Sequence, residues 1–294
     1  MATFRVLSTL AFLIWVWLAV ARGMFWRTDI RLPPAGEPRI WPAVAAVVPA
    51  RDEAQVLPAS LPTLVAQQYP GALRIILVDD GSTDGTGDLV LSRWPEVTVV
   101  DPGERPAGWA GKLWALQAGV AAAGEVEYLL FTDADIAHRP DSVASLVAAA
   151  QAHRLDLVSQ MARLHVRSGW ERLLVPAFVY FFAMLYPFRW SNKPGAGTAA
   201  SAGGCNLVRR TALARAGGVA AVRGAVIDDV ALARVLKRSG ARIFLGLADR
   251  VESIRPYPSL KVLWDMVARS AYTQLRHSLP QLAGTVLSLT LVFL

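Results

Sequence analysis

Cysteine is nearly absent from this sequence: Cys205 stands alone among 294 residues, so no intrachain disulfide can form. It sits beside Gly203 and Gly204 with no motif around it, and reads as a small packed residue rather than a nucleophile or ligand. Histidine is scarce as well. His138, His153, His165 and His277 show no spacing of the H-x-x-x-H kind, so no histidine-built metal centre is in view. Internal repeats and low-complexity tracts are missing beyond an alanine bias, and so is any block of like charge. The formal charge is +7, from 30 Lys+Arg against 23 Asp+Glu. The arginines sit singly among Trp, Tyr and Leu, as in Phe188-Arg189-Trp190 and from Trp264 to Arg276. That interleaving suits a surface of anionic headgroups better than a duplex groove, and no nucleic-acid partner is expected.

Apolar residues, by contrast, make up 54% of the chain, and the mean hydropathy is +0.36. They are gathered in a few places. Val6 to Phe25 is an almost unbroken apolar run of about the twenty residues that a spanning helix needs. A signal peptide is the rival reading, since Arg5 precedes the run and Ala19-Val20-Ala21 resembles a cleavage site. An uncleaved anchor is favoured because the apolar stretch continues through Met24, Phe25 and Trp26. Arg22, Arg27, Arg31 and Arg39 follow the run and Arg5 precedes it, so the positive-inside rule puts the following domain in the cytoplasm. Leu173 to Phe188 is aromatic-rich and interrupted by Pro176 and Pro187; interfacial and core placements are both open for it. The expected organisation is a membrane anchor over 1–27, a linker over 28–42, and one large domain over 43–250. Interfacial helices follow over 251–281, and the apolar residues 282–294 read as the start of a further transmembrane helix.

Between the apolar ends, strand and helix alternate. Ala43 to Val48 reads as a buried parallel strand ended by Pro49, and Val56 to Gln68 as a helix with Leu57, Leu61, Leu64 and Val65 at helical spacing. Strands over Arg74 to Val78, Val97 to Val100 and Tyr128 to Thr132 alternate with helices over Asp84 to Trp94, Lys112 to Ala123 and Ser142 to Ala152. This order predicts an α/β fold with a mainly parallel sheet. The second half is less regular: a strand pair within Thr198 to Val208, a helix over Val230 to Ser239 and a strand over Arg242 to Leu247.

Ligands of such sheets sit outside the carboxyl ends of the strands, and here those ends carry acids. Phe131-Thr132-Asp133-Ala134-Asp135 is a D-x-D after an apolar strand. Extended residues two apart point the same way, so Asp133 and Asp135 can share one hard cation, Mg2+ or Mn2+, or divide between a metal and a donor sugar. Asp79-Asp80-Gly81-Ser82 ends another strand. Its acids could accept from a nucleobase or ribose, or simply form an Asx-type turn. Asp228-Asp229 precedes a helix, where capping competes with a general-base role.

Val48-Pro49-Ala50-Arg51-Asp52-Glu53, the Asp79-Asp80-Gly81-Ser82 turn, the D-x-D and the Asp228-Asp229 pair occur in an order that resembles family 2 glycosyltransferases of the GT-A fold. The resemblance covers about residues 43 to 277. Over its whole length the chain is similar to the hopene-associated glycosyltransferases of bacterial hopanoid clusters. The resemblance implies a Rossmann-like sheet flanked by helices and an inverting transfer of one sugar from a nucleotide-diphosphate donor, UDP-linked for instance, to a lipid acceptor. It also implies a bacterial inner membrane location with a cytoplasmic catalytic domain. Donor binding falls to Pro49, Glu53, Asp79, Asp80, Lys112 and Asp133, with Arg269 and Arg276 as candidates for the diphosphate. Asp135 and Asp133 would hold the metal, Gly203 and Gly204 would lie on the acceptor side, and Asp229 would be the base with Asp228 beside it.

One departure stands out. Processive relatives carry Q-x-x-R-W, whereas Arg269-Ser270 and Gln274-Leu275-Arg276-His277 lack the tryptophan, so single transfer is expected. A polyprenyl-phosphate acceptor, or a non-catalytic nucleotide-binding scaffold at the membrane, are the alternatives. Gly195-Ala196-Gly197-Thr198-Ala199-Ala200 superficially fits a dinucleotide fingerprint, but it follows Asn192-Lys193-Pro194 rather than a strand.

Overall fold

The computed structural model describes residues 1–257, 259–275 and 278–293. The chain packs as two compact units: Asp29–His165 with Ser191–Pro256, and Met1–Thr28 with Val166–Trp190 and Tyr257–Leu294. The first holds eight strands: β1 (Val44–Ala50), β2 (Leu73–Asp79), β3 (Thr98–Val100), β4 (Tyr128–Thr132), β5 (Ile136–His138), β6 (Leu157–Arg163), β7 (Cys205–Arg209) and β8 (Ile243–Ser253). The helices are α1 (Ala2–Ala21), α2 (Leu57–Val65), α3 (Thr86–Arg93), α4 (Gly111–Ala122), α5 (Ser142–Ala152) and α6 (Gly169–Leu185). After them come α7 (Phe188–Ser191), α8 (Arg210–Arg215), α9 (Asp228–Arg238), α10 (Leu260–Gln274) and α11 (Leu279–Phe293).

One sheet joins all the strands in the order β3-β2-β1-β4-β7-β6-β8-β5. The mainly parallel sheet expected from the alternation is present: β1, β2, β3 and β4 are parallel neighbours, and so are β6 and β8. β7 runs antiparallel to both β4 and β6, and β5 antiparallel to β8. Every residue of β1 except Pro49 is buried, as a central strand covered on both faces requires. Alternate residues then serve two separate cores. Val44, Ala46 and Val48 pack with Leu130, Leu57, Leu61, Leu146 and Val147; Ala45 and Val47 pack with Ile76, Leu129, Leu113, Leu116, Leu232 and Leu236. A fully buried leucine of this kind contributes about 1.5–3 kcal/mol.

Several boundaries differ from the sequence expectation. β1 runs through Pro49 to Ala50, because its pairing with β4 ends at Val47↔Phe131 while pairing with β2 continues. A proline beyond the last β4 pair is tolerated where no ladder hydrogen bond is needed from it. The strand pair expected within Thr198 to Val208 is a single strand, β7. β8 is longer than its apolar run and continues to Ser253, pairing there with β5. Residues 28–42 are not a free tether: Leu247 N donates to the Ile30 carbonyl at 2.9 Å, and Arg31 pairs with Asp249 at 2.9 Å.

In the second unit, α1 contains the one helix window, Phe4–Ala21, that is long and apolar enough to cross a membrane among the described residues. Phe12, Leu13 and Trp17 on it are exposed. α11 is shorter; its Val292 carbonyl accepts from Trp15 Nε1 at 2.8 Å. α6 passes through Pro176 as one helix and stops ahead of Pro187. Its start is a capping box: Ser168 Oγ accepts from Glu171 N at 3.2 Å, and Glu171 Oε2 accepts from Ser168 N at 2.7 Å.

Candidate active site

Sheet topology explains why acids far apart in sequence meet. The carboxyl ends of the parallel strands β1, β2 and β4 lie on one edge, which brings Arg51 to Glu53, Asp79-Asp80 and Asp133 to Asp135 together. Because β7 is reversed, its beginning lies at that same edge, with Cys205 paired to Thr132. Gly203 and Gly204 therefore sit beside the D-x-D. β6 runs parallel to β4 through β7, and β8 parallel to β6, so β8 delivers Ser253 and Arg255 to the edge as well.

Asp228 and Asp229 are the first residues of α9, one and two residues past the position that capping would need. The cap position is Ile227, and no side-chain capping bond is made, so the capping role weighed for this pair is not realised. Their carboxylates serve a pocket instead. It is lined by Pro49, Lys112, Asp133, Asn206, Asp228 and Asp229 among others. Lys112 Nζ lies 2.8 Å from Asp133 Oδ1 and 3.2 Å from Asp228 Oδ2. Burial alone would push its ammonium down, but Asp133, Asp229 and Asp228 together outweigh this and hold it well above its ordinary value. Lys112 is thus a fixed cation at the centre of three carboxylates.

Asp229 is held in place from two sides. Asn206 Nδ2 donates to its Oδ1 at 3.2 Å, and Ser201 Oγ donates to its backbone carbonyl at 2.7 Å. A Cβ on Gly203 would lie 2.7 Å from Asp229 Oδ2, closer than a side chain can approach, and 3.7 Å from Asp133 Oδ2, so glycine is what leaves room for the Asp229 carboxylate here. Burial, then the neighbouring Asp228, push the Asp229 carboxyl up to about 8, against the opposing pull of Lys112. A carboxylate poised near neutral pH is what a general base needs. Cys205 is buried in the core beneath, its thiol pushed up to about 12 by that burial, which matches the packing role read from its sequence context.

A second cluster lies at the other acid of the D-x-D. Arg255 Nη2 donates to both Glu53 oxygens, at 2.6 and 2.7 Å, and its Nε lies 3.4 Å from Asp135 Oδ2. Ser253 Oγ donates to the same Asp135 oxygen at 2.7 Å. Burial raises the Glu53 carboxyl, with Arg255 opposing. Arg255, Ser253 and Asn206 were not singled out in the sequence. Arg255 and Ser253 depend on the extension of β8 past its apolar stretch, and Asn206 on the reversed strand; neither leaves a motif.

The end of the site beyond β1 and β2 is built by two stitched loops. Asp52 N donates to Ser82 Oγ at 2.9 Å, Glu53 N to Thr86 Oγ1 at 2.9 Å, and Ala54 N to Asp84 Oδ2 at 3.0 Å. Thr83 N donates back to Asp52 Oδ1 at 2.7 Å. Asp79 Oδ1 accepts from Ser82 N at 3.0 Å, the Asx-type turn foreseen as its alternative. Asp80 is different: its Oδ2 lies 2.8 Å from where a Cβ on Gly111 would be, next to Lys112, with Arg51 at 3.8 Å. Of the arginines proposed for a diphosphate, Arg276 lies outside the described residues, and for Arg269 only its backbone within α10 is described.

A divalent cation can be tested against these donors. Among the described residues no three His, Cys, Asp or Glu side chains are grouped to hold a metal by themselves. Asp133 and Asp135 supply hard oxygens, which suits Mg2+ or Mn2+ bound by one or two carboxylates and completed by substrate phosphates. The extended geometry expected for the D-x-D is not formed: Asp133 to Asp135 make a turn closed by Ile136 N donating to the Asp133 carbonyl at 3.1 Å, and Asp133 pairs with Lys112 while Asp135 pairs with Arg255, so a cation arriving with a diphosphate would have to displace these pairs.

The profile of Glycosyl transferase family 2 matches residues 45–217, more than half of the chain. The chain belongs to glycosyl transferase family 2. Among solved structures this family 2 transferase is similar to the mannosyltransferase PcManGT from Pyrobaculum calidifontis in complex with GDP-Man and Mn2+. The TM-score is 0.60 and the identity 22%, over 86% of this chain and 68% of that one. It is also similar to S. aureus TarS, with a TM-score of 0.50 and 16% identity over 76% of this chain and 38% of that one. Both likenesses bear on the fold, which is GT-A-like. A curated relative, an N-acetylglucosaminyltransferase of Mesorhizobium japonicum, is 42% identical over 53 residues, 18% of this chain and 12% of that protein's length. The family match reaches from β1 past the D-x-D to Gly217 and stops short of Asp228 and Asp229, so the base assignment rests on the geometry around Asn206 and Lys112.

Proposed function

We propose that this protein is a metal-dependent inverting glycosyltransferase that moves one sugar from a nucleoside-diphosphate donor to the hydroxyl of a lipid acceptor. The observation that carries this reading is Asp229: a carboxylate raised by burial, held by Asn206, and facing the D-x-D edge across Lys112. Asp229 takes the proton of the acceptor hydroxyl. The hydroxyl oxygen then forms its bond to the anomeric carbon as the bond from that carbon to the diphosphate oxygen breaks, and the configuration inverts. Glu53 and Asp80, fixed by the stitched loops, orient the nucleoside. Lys112 and Arg255 are the cations nearest the carboxylates and can turn to the departing diphosphate. Asp133 and Asp135 would hold Mg2+ or Mn2+, which when bound neutralises charge on that leaving group.

The GDP-Man bound by the similar mannosyltransferase supports a nucleotide sugar, and the Mn2+ in the same complex supports a divalent metal. The lipid acceptor is supported by α1, whose exposed apolar length suits a bilayer, and by the sequence resemblance to hopene-associated enzymes. The arginines after α1 support a cytoplasmic face of the bacterial inner membrane. The test is to incubate membranes containing the protein with a panel of nucleotide sugars and extracted lipids, hopanoid and polyprenyl included, with Mn2+. Mass spectrometry should find a lipid heavier by one hexose or N-acetylhexosamine, absent with Asp229→Asn. Donor turnover that continues in that variant would remove the base role, and a soluble glycosylated product would remove the lipid acceptor.

A further inference from the structure

α9 presents a second surface that the transfer reaction does not use. Ala231, Arg234, Val235 and Arg238, spaced i, i+3, i+4, i+7, share one stripe of the helix, next to the one carrying Asp228 and Leu232. That stripe forms a wall of an open cleft of about 600 Å³, completed by Ala221 to Ala225 and Gly108. The facing wall is fixed in place: Ala110 N donates to the Arg223 carbonyl at 2.7 Å, and Ala225 N to the Val222 carbonyl at 2.8 Å. A Cβ on Gly224 would lie 3.2 Å from the Gly108 carbonyl oxygen, so a glycine there lets the two loops close up.

The chemistry of the lining is one-sided. It contains Arg223, Arg234 and Arg238 and no acidic side chain, over a floor of Val222, Ala225, Ala231 and Val235. Arginine forks hold phosphate oxygens in pairs, and they keep their charge across the whole working pH range. The apolar floor adds what a free anion would not use, and Val226, 63% exposed, extends that apolar surface along the chain toward Asp228. We propose that this cleft binds the phosphate headgroup of an amphiphile, with the guanidinium groups of Arg223 and Arg238 on the phosphate and the Val/Ala floor under the first part of its apolar stem. The site requires neither donor nor metal and stands apart from the sugar-transfer reading.

The test uses the full chain in a non-ionic detergent, without donor or metal, titrated calorimetrically with dihexanoyl phosphatidic acid. Saturable binding is expected, weakened about tenfold or more in Arg223→Gln/Arg238→Gln with an unchanged melting temperature. Inorganic phosphate and dihexanoyl phosphatidylcholine should each bind about tenfold or more weakly than the phosphatidate. If the double variant melts early, Ala225→Glu keeps every arginine and should abolish binding by placing a carboxylate on the floor. Absence of binding by the wild type, undiminished binding by either variant, or equal binding of inorganic phosphate would each overturn the proposal.

Discussion

Replacing Asp229 by Asn removes a charge from a place where the fold resists charge, so activity and stability should move in opposite directions. The carboxyl is pushed from 3.8 up to about 8 by burial and by Asp228. A group whose folded pKa is raised keeps its full contribution to stability below the unfolded value and loses it as pH rises toward the folded one. The wild type should therefore lose stability between about pH 4 and pH 8 in a way that the variant does not. One pKa unit is worth about 1.4 kcal/mol, but the carboxylate is partly open to solvent and shares its field with Lys112. The difference between the two proteins should thus be on the order of 1–3 kcal/mol at pH 8. Asn keeps the shape and can still meet Asn206, so the pocket should stay intact. Loss of a general base costs roughly 10²–10⁴ in kcat. Thermal melts of both proteins at pH 5 and pH 8, with donor-consumption assays on the same samples, give both numbers. Parallel melting curves at the two pH values would refute the claim that Asp229 is strained by its surroundings.

Three further outcomes follow from the same geometry. Lys112→Met leaves Asp133, Asp228 and Asp229 without their shared cation; it should destabilise the fold by about 1–3 kcal/mol and weaken donor binding, read by melting and by calorimetry with a nucleotide sugar. Arg255→Gln frees Asp135 from its competing ion pair, so the Mn2+ concentration for half-maximal activity should fall several-fold even as kcat drops; an unchanged Mn2+ titration would mean that the pair does not compete. Gly203→Ala puts a methyl group 2.7 Å from Asp229 Oδ2, and kcat should fall by about tenfold or more with little change in donor KM.

The Asp79-Asp80 turn and the D-x-D were legible because each follows an apolar strand directly, and strand ends are where ligands of such sheets bind. Asp133 and Asp135 could be placed from Tyr128 to Thr132 alone. The Asp228-Asp229 pair was harder to read. Asp228 and Asp229 looked equally suited to capping, and only the fold shows that Ile227 holds the cap position while their carboxylates turn to Lys112. Arg255 was illegible because β8 continues through Asp249, Arg250 and Glu252, residues that no apolar pattern marks as strand. It is held there by edge pairing with β5, a long-range contact. Pro49 misled in the opposite sense, ending a strand in the sequence pattern that the pairing with β2 carries on to Ala50.

The reversed strand β7 has a consequence for how this enzyme can fail. Thr132 and Cys205 are partners in one ladder, so Asp133 of the D-x-D and the glycines Gly203 and Gly204 hang from adjacent rungs instead of from separate lobes. Fraying a single pair at that end would displace both at once. Amide exchange at Cys205 and Asn206 should accordingly be as slow as in the centre of β1.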